Sequence, residues 1–161
     1  MNPYAVKYSL GRAWGYGVLS FGLWTFYWFH VNRRLLDGES GRGRDDALLH
    51  TLGLFVPVLN AFILFWLFRD IDELRRRVGL PGLPVGAYVA GGILAAPVVY
   101  SIVLGKLNEL WDVRTRGLAA EAPTTAGEKA VLAVGAGLWV LWLVTTLLVV
   151  LLLVLAGASS S

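Results

Sequence analysis

The apolar residues of the chain gather into four long runs that charged stretches separate. Residues 131–157 contain no charged side chain and form the longest run, which can cross a hydrocarbon core about 30 Å thick. Residues 83–105 form a second uncharged run, residues 48–68 a third, and residues 14–31 the shortest. This pattern predicts four membrane segments, each a helix.

A charged tail follows each of the first three runs, and its apolar residues recur with helical spacing. In the second tail, Ile71, Leu74 and Val78 share one helix face. When the chain is shifted by 38 residues, several glycine, aromatic and Asn or Asp positions align in three copies. The aligned positions are Gly15, Gly53 and Gly91; Trp24, Phe62 and Tyr100; Asn32, Asp70 and Asn108; and Gly41, Gly79 and Gly117. We therefore predict three 38-residue repeats, each followed by a charged amphipathic helical tail that a glycine ends.

Composition favours the same class of protein. The chain has 161 residues, of which 57% are hydrophobic and 16% charged, with a mean hydropathy of +0.63. Soluble domains have about 45–50% apolar and about 25% charged residues. The expected fold is an all-α, polytopic helical membrane protein, with residues 1–161 as a single membrane domain and residues 117–130 as a flexible polar linker.

The edges of the apolar runs contain aromatic and basic side chains. Trp and Tyr concentrate at membrane–water interfaces, and Arg can contact anionic lipid headgroups just beyond them. The predicted interfacial belt is Trp24, Tyr27, Trp28 and Trp66. The predicted lipid-headgroup or partner contacts are Arg33, Arg34, Arg75, Arg76 and Arg77. A solvated helix end is the simpler reading of the same arginines.

Two features inside the segments suggest packing or transport. Ala87, Gly91 and Ala95 recur at four-residue spacing, which suits close helix approach. Asn60 is the best polar group at membrane depth, three residues after Pro57. Such an Asn can hydrogen-bond a neighbouring helix, or it can line a path for an ion or substrate.

Candidate chemistry is sparse. The chain has no cysteine, and its two histidines, His30 and His50, lack a carboxylate pair at metal-ligand spacing. We expect no enzyme site, no metal and no cofactor. Nucleic-acid binding is also not expected, because the aromatic residues lie inside apolar runs and not on a basic surface.

The stretch YWFHVNRRL, followed by a second run ending in FWLFRDIDEL, resembles a prokaryotic membrane-protein family known as domain of unknown function 4234. The match falls on Tyr27, Trp28, Val31, Asn32 and Arg33, and more loosely on Phe65, Trp66 and Asp70. It covers roughly residues 10–78. The resemblance implies a multi-pass protein of the prokaryotic cytoplasmic membrane, and it brings no catalytic residues.

The distribution of basic residues leaves two topologies open. If all four segments cross, Lys and Arg divide 6 to 8 between the two sides, which is almost no positive-inside bias. If the first three segments dip in and return, with breaks near Pro57, Pro97 and the Gly15–Gly17 pair, all 14 lie on one side. We expect four crossings, because re-entrant backbone must be shielded from lipid.

The expected role is a non-catalytic scaffold that contacts lipid headgroups, a membrane protein partner or a second copy of the chain. The alternative is a small transporter or channel-like subunit with a path around Asn60. Packing predicts that Asn60→Leu lowers stability, whereas a pathway predicts lost flux with the fold intact.

Overall fold

A computed structural model describes residues 6–40 and 46–159, and nearly all of this part of the chain is helical. The all-α class is therefore confirmed. The helices are α1 (Leu10–Leu19), α2 (Leu23–Ser40), α3 (Ala47–Gly53), α4 (Pro57–Arg77), α5 (Val85–Leu94), α6 (Ala96–Arg114) and α7 (Ala126–Ser159). Two short strands, β1 (Val6–Lys7) and β2 (Ala120–Glu121), pair in parallel.

Each of the first three predicted segments is broken into a short helix and a long helix. Between α1 and α2 the backbone of Phe21 and Gly22 has positive φ, 55° and 84°. Between α3 and α4, Val56 is extended ahead of Pro57, because a residue before proline disfavours the helical conformation. Between α5 and α6, Ala95 leaves helical geometry two residues before Pro97. Two breaks lie at the expected prolines, whereas the first lies after the Gly15–Gly17 pair.

The prediction of four membrane segments is not supported. Within the described residues, only α7 contains a stretch long and apolar enough to cross a membrane. The reason is that α2, α4 and α6 each begin apolar and end charged, so their apolar parts are too short. One candidate span, and not a multi-pass arrangement, is what the structure contains.

The three long helices run in the same direction. Phe26, near the start of α2, stacks on Phe55 in the second break, at 4.5 Å between ring centroids. Further along α2, Arg33 pairs with Asp70, more than halfway along α4. The first turns of α2 and α6 line one cavity of about 280 Å³, and the late parts of α4 and α6 meet through Arg75. Since successive long helices are parallel, α3 and α5 each carry the chain back to the apolar end.

The core lies where α2, α4 and α6 face one another. Its buried side chains include Phe29, Leu36, Leu64, Leu67, Phe68, Ile71, Val103, Leu107 and Leu110. On each long helix the buried residues recur mainly at spacings of three and four positions, so they form one apolar face of an amphipathic helix. The long helices end at Ser40, Arg77 and Arg114, a spacing close to the predicted 38 residues.

Two glycines end helices as expected. Gly79 and Gly117 follow α4 and α6 and have positive φ, 78° and 81°. The amides of Leu80 and Gly117 donate back to the carbonyls of Arg75 and Asp112, which closes the last turn of each helix. The third aligned glycine, at position 41, lies outside the described residues.

The linker 117–130 is held more firmly than a flexible loop would be. Val6 pairs with Ala120 and Lys7 with Glu121, and the Ala122 amide donates to the Lys7 carbonyl at 2.8 Å. The linker ends in α7, which begins at Ala126 and not at residue 131. This local order ties the N-terminal strand to the end of α6.

Candidate membrane-insertion site

The three helix breaks expose large apolar side chains. Phe21 is 46% exposed in the first break, Phe55 63% in the second, and Leu94 85% at the third. Exposed apolar side chains continue on both sides of each break, among them Trp14, Val18, Leu52, Val58, Phe62, Ile93 and Val98. Soluble monomers rarely expose apolar surface of this extent, so it indicates contact with a membrane or with a protein partner.

The three breaks lie close together. The second break contacts the first turns of α2 through the Phe26 and Phe55 rings. Gly22 of the first break and Pro97 beyond the third line the same cavity. The three apolar tips therefore form one surface, which we call the insertion surface and define by Phe21, Phe55 and Leu94.

Helix α7 passes beside the first break. Gly135 lies so close to the backbone of Ser20 that a Cβ atom there would overlap it. The Trp139 indole N–H donates to the Val18 carbonyl at 2.8 Å, and its ring packs on Phe21 at 4.8 Å between centroids. The first break, with Phe21 of the insertion surface, therefore lies beside residues 135–139 of α7.

The polar ends of α2 and α4 are joined by buried charges. Arg33 Nη1 lies 2.7 Å from Asp70 Oδ2, and Arg33 Nη2 lies 3.0 Å from Asp37 Oδ1. Burial is the main influence on Asp37 and raises the pKa of its carboxyl, against the lowering effect of Arg33. The prediction that Arg33 contacts lipid headgroups is wrong, because the side chain is enclosed between the two helices.

Arg75 joins α4 to α6 in a similar way. Its side chain is fully buried, and its Nη1 lies 2.9 Å from Glu109 Oε2. The same guanidinium donates to the carbonyls of Lys106 and Pro81. Arg75 is thus a second predicted lipid contact that is buried, since α6 and the turn after α4 cover it. Arg34, Arg76 and Arg77 are exposed, as a headgroup contact requires.

Glu128 connects α7 to the first helix pair. Its backbone N–H donates to Thr125 Oγ1, and its carboxylate accepts from the Thr125 N–H, which is a capping box at the start of α7. The same buried carboxylate accepts from the Trp24 indole at 3.0 Å and pairs with Arg12. Sequence reasoning missed Glu128, although Thr125-x-x-Glu128 ahead of an apolar run is a recognisable signal.

The aromatic residues of the predicted belt lie in different environments. Trp24 and Trp28 are buried, so the prediction that they sit at the lipid interface is wrong. They fill the space between α2 and its neighbours, where Trp28 meets Tyr100 edge to face at 5.9 Å. Tyr27 is partly buried, with its hydroxyl 2.6 Å from Thr125 Oγ1. Trp66 is exposed on α4.

The predicted packing stripe is mostly exposed. Ala87 and Ala95 face outward, because Ala95 ends α5 and the contact with α4 uses the adjacent face. There, buried Gly92 lies against Leu64 and Phe68. Gly91 approaches Val99 of its own helix pair.

Asn60 hydrogen-bonds across the second break. Its Nδ2 donates to the Leu54 carbonyl at 2.9 Å. That carbonyl belongs to the last turn before the break, where helical partners are lost. The amide group therefore satisfies the backbone of its own helix pair.

Comparison with family models, with curated proteins and with solved structures finds no match to this chain. The resemblance to domain of unknown function 4234 stays a prediction, as does the expectation of no enzyme site and no cofactor. In the described part of the chain, no three His, Asp or Glu side chains are grouped as metal ligands.

Proposed function

We propose that the protein is a membrane scaffold that crosses the bilayer once, through α7, and inserts its three helix pairs into one leaflet. In this arrangement each pair enters and leaves on the same side. The polar ends of α2, α4 and α6 then form a layer at the headgroups. The role is non-catalytic, and the membrane is the prokaryotic cytoplasmic membrane.

The main support for the proposal is the position of the first break along α7, beside Trp139. From Val131, where the apolar run begins, to Trp139 a helix rises roughly 12 Å. Half of the hydrocarbon core is about 15 Å. A tip level with Trp139 therefore reaches close to the bilayer midplane without crossing it. Beyond Trp139, α7 continues to Ser159, roughly 30 Å further, which is enough to reach the opposite surface.

Backbone hydrogen bonding at the breaks supports insertion. Lipid tolerates non-helical backbone only where its polar groups find partners. In the first break, the Trp24 amide donates to Ser20 Oγ at 2.8 Å, and the Gly22 amide donates to the Gly17 carbonyl at 2.8 Å. Trp139 satisfies the Val18 carbonyl of the same break, and Asn60 satisfies Leu54 in the second.

The charge distribution agrees with one-sided entry. With three returning pairs, all 14 Lys and Arg residues lie on the side where α7 begins. A strong basic bias marks the cytoplasmic side of a membrane protein. The exposed Arg34, Arg76 and Arg77 then lie at the level of anionic headgroups or of a membrane protein partner.

Depth measurement on spin-labelled protein tests this role. The chain has no native cysteine, so Phe55→Cys and Leu118→Cys each provide one attachment site. We expect the label at position 55 to collide with membrane-dissolved oxygen and to be shielded from a water-soluble nickel complex. The label at position 118, an exposed apolar residue of the linker, should show the reverse. Free access of the nickel complex to position 55 would contradict the proposal.

A further inference from the structure

We propose that the protein bends the membrane, making the leaflet that holds the three helix pairs convex. This inference rests on the proposed one-leaflet insertion and adds a mechanical activity to it. Three features of the protein support it: the unequal number of helices in the two halves of the bilayer, the rigidity of the inserted part and the length of α7 beyond the first break.

The two leaflets would receive very different amounts of protein. Helices α1–α6 begin or end at the insertion surface, and among the helices that the structure describes α7 alone extends beyond it. A helix with its side chains is about 10 Å across, so each occupies roughly 80 Å² of membrane area. Six additional helices in one leaflet then add roughly 500 Å² that the other leaflet does not match. A bilayer relieves such an imbalance by bending so that the leaflet with the larger area lies on the convex side.

Bending requires a wedge that does not flatten. The helix pairs are held to one another by a packed core, by the buried ion pair of Arg33 with Asp70, and by the buried Arg75 guanidinium, which pairs with the partly exposed Glu109. These pairs join α2 to α4 and α4 to α6 near their polar ends. Separating the helices would break both ion pairs, which is unfavourable because the Arg33 and Arg75 guanidinium groups are enclosed by the fold. The six helices therefore act as one rigid inclusion.

The position of α7 fixes the direction of bending. Glu128 holds the start of α7 to Arg12, near the start of α1, and to the indole of Trp24, and Trp139 holds α7 at the first break. Residues 140–156 of α7 are all exposed, on every side of the helix. A single helix in the far leaflet occupies far less area than the seven in the near leaflet, so the near side becomes convex.

Partitioning between flat and tubular membrane tests the inference. The full chain, labelled with a fluorophore at a Gly38→Cys site, where an added side chain meets no neighbouring atom, is reconstituted into giant vesicles from which a narrow tube is pulled. With the polar layer on the outside of the vesicle, we expect the ratio of protein to lipid dye to be higher in the tube than in the flat membrane, because binding by inserted helices depends on curvature. With the polar layer inside, the same protein should be depleted from the tube.

Variants and a depth control separate the possible outcomes. Leu94→Arg places a charge on the most exposed tip and should move the tube-to-flat ratio toward one, whereas Leu118→Arg makes the same change in the linker and should leave the ratio unchanged. Equal distribution of the unmodified chain in both orientations would overturn the bending inference. If the label at position 55 is nevertheless shielded from the nickel complex, one-leaflet insertion survives and bending alone fails. If that label is accessible, the proposed function fails as well.

Discussion

Arg33 on α2 and Asp70 on α4 form a buried ion pair, with 2.7 Å between Nη1 and Oδ2 and with 7% and 4% of the two side chains exposed. The pair joins two helices that belong to successive helix pairs. It lies at the polar ends of both helices, which is why it fixes their common direction. Its partners are 37 positions apart in the chain, so the contact depends on the fold and not on local sequence.

Removing one partner of this pair should be far more damaging than removing both. Arg33→Met removes the guanidinium that pairs with both Asp70 and Asp37, and we expect a loss of about 3–5 kcal/mol in the free energy of unfolding, because two largely buried carboxylates each lose an ion pair. Arg33→Met combined with Asp70→Leu should recover a large part of that loss. Unfolding in detergent micelles would measure all three variants. Additive losses in the double variant would show that the two residues do not interact.

The close approach of α7 to the first break can be tested with two neighbouring glycines. A Cβ atom at Gly135 would overlap the Ser20 backbone, whereas one at Gly137 would meet no atom within 4 Å. Gly135→Ala should therefore destabilise the protein by about 1–3 kcal/mol through overpacking. Gly137→Ala should be neutral or stabilising by about 0.5–1 kcal/mol, since alanine favours the helix. Equal thermal stability of the two variants would exclude this contact.

Asn60 should matter for stability through its hydrogen bond to Leu54. Asn60→Leu leaves the Leu54 carbonyl without its side-chain donor in the second break, and an unsatisfied buried acceptor costs about 1–3 kcal/mol. The same change in a transport path would abolish flux and spare the fold. Thermal unfolding of the variant distinguishes the two roles, and an unchanged midpoint would argue against the hydrogen bond.

Asp72 should make the polar layer sensitive to acid. Burial alone would raise the pKa of Asp72, but the Leu83 amide, 2.6 Å away, and Arg76 outweigh burial and hold the pKa below its usual range. The carboxylate form therefore stabilises the fold at neutral pH, and this contribution is lost as pH falls below about 4. Asp72→Asn should reduce the acid-dependent loss by at most about 1 kcal/mol, because Arg76 is largely exposed. An identical pH profile for the variant and the unmodified chain would contradict this assignment.

Local sequence signals predict the all-α class and some of the helix ends. Pro57 and Pro97 lie at two of the three breaks, and Gly79 and Gly117 end α4 and α6 as expected. These signals act through the backbone of the residue itself or its neighbour, so they can be recognised without knowing the fold. The break at Phe21 and Gly22 was not identified, because a glycine inside an apolar run is common in membrane helices.

Long-range contacts explain most of what the sequence could not predict. Arg33 and Arg75 resemble interfacial arginines, and only their partners Asp70 and Glu109, on the next long helix, make them buried. Trp24 likewise resembles an interfacial residue by its type and position in the sequence. Its indole N–H instead donates to Glu128, which lies more than one hundred residues further along the chain. Hydropathy also favoured four crossings, since it measures the length of an apolar run and not whether a break divides it.

The sidedness of the helix tails tests the central claim most directly. In intact cells or sealed vesicles, an impermeant thiol reagent is applied to the variants Gly38→Cys, Arg77→Cys, Leu118→Cys and Ala156→Cys, each the sole cysteine in its chain. Three returning helix pairs predict that positions 38, 77 and 118 are labelled from one side of the membrane and position 156 from the other. Labelling of position 77 from the side opposite to positions 38 and 118 would contradict the account, because it would mean that the chain crosses the membrane between them.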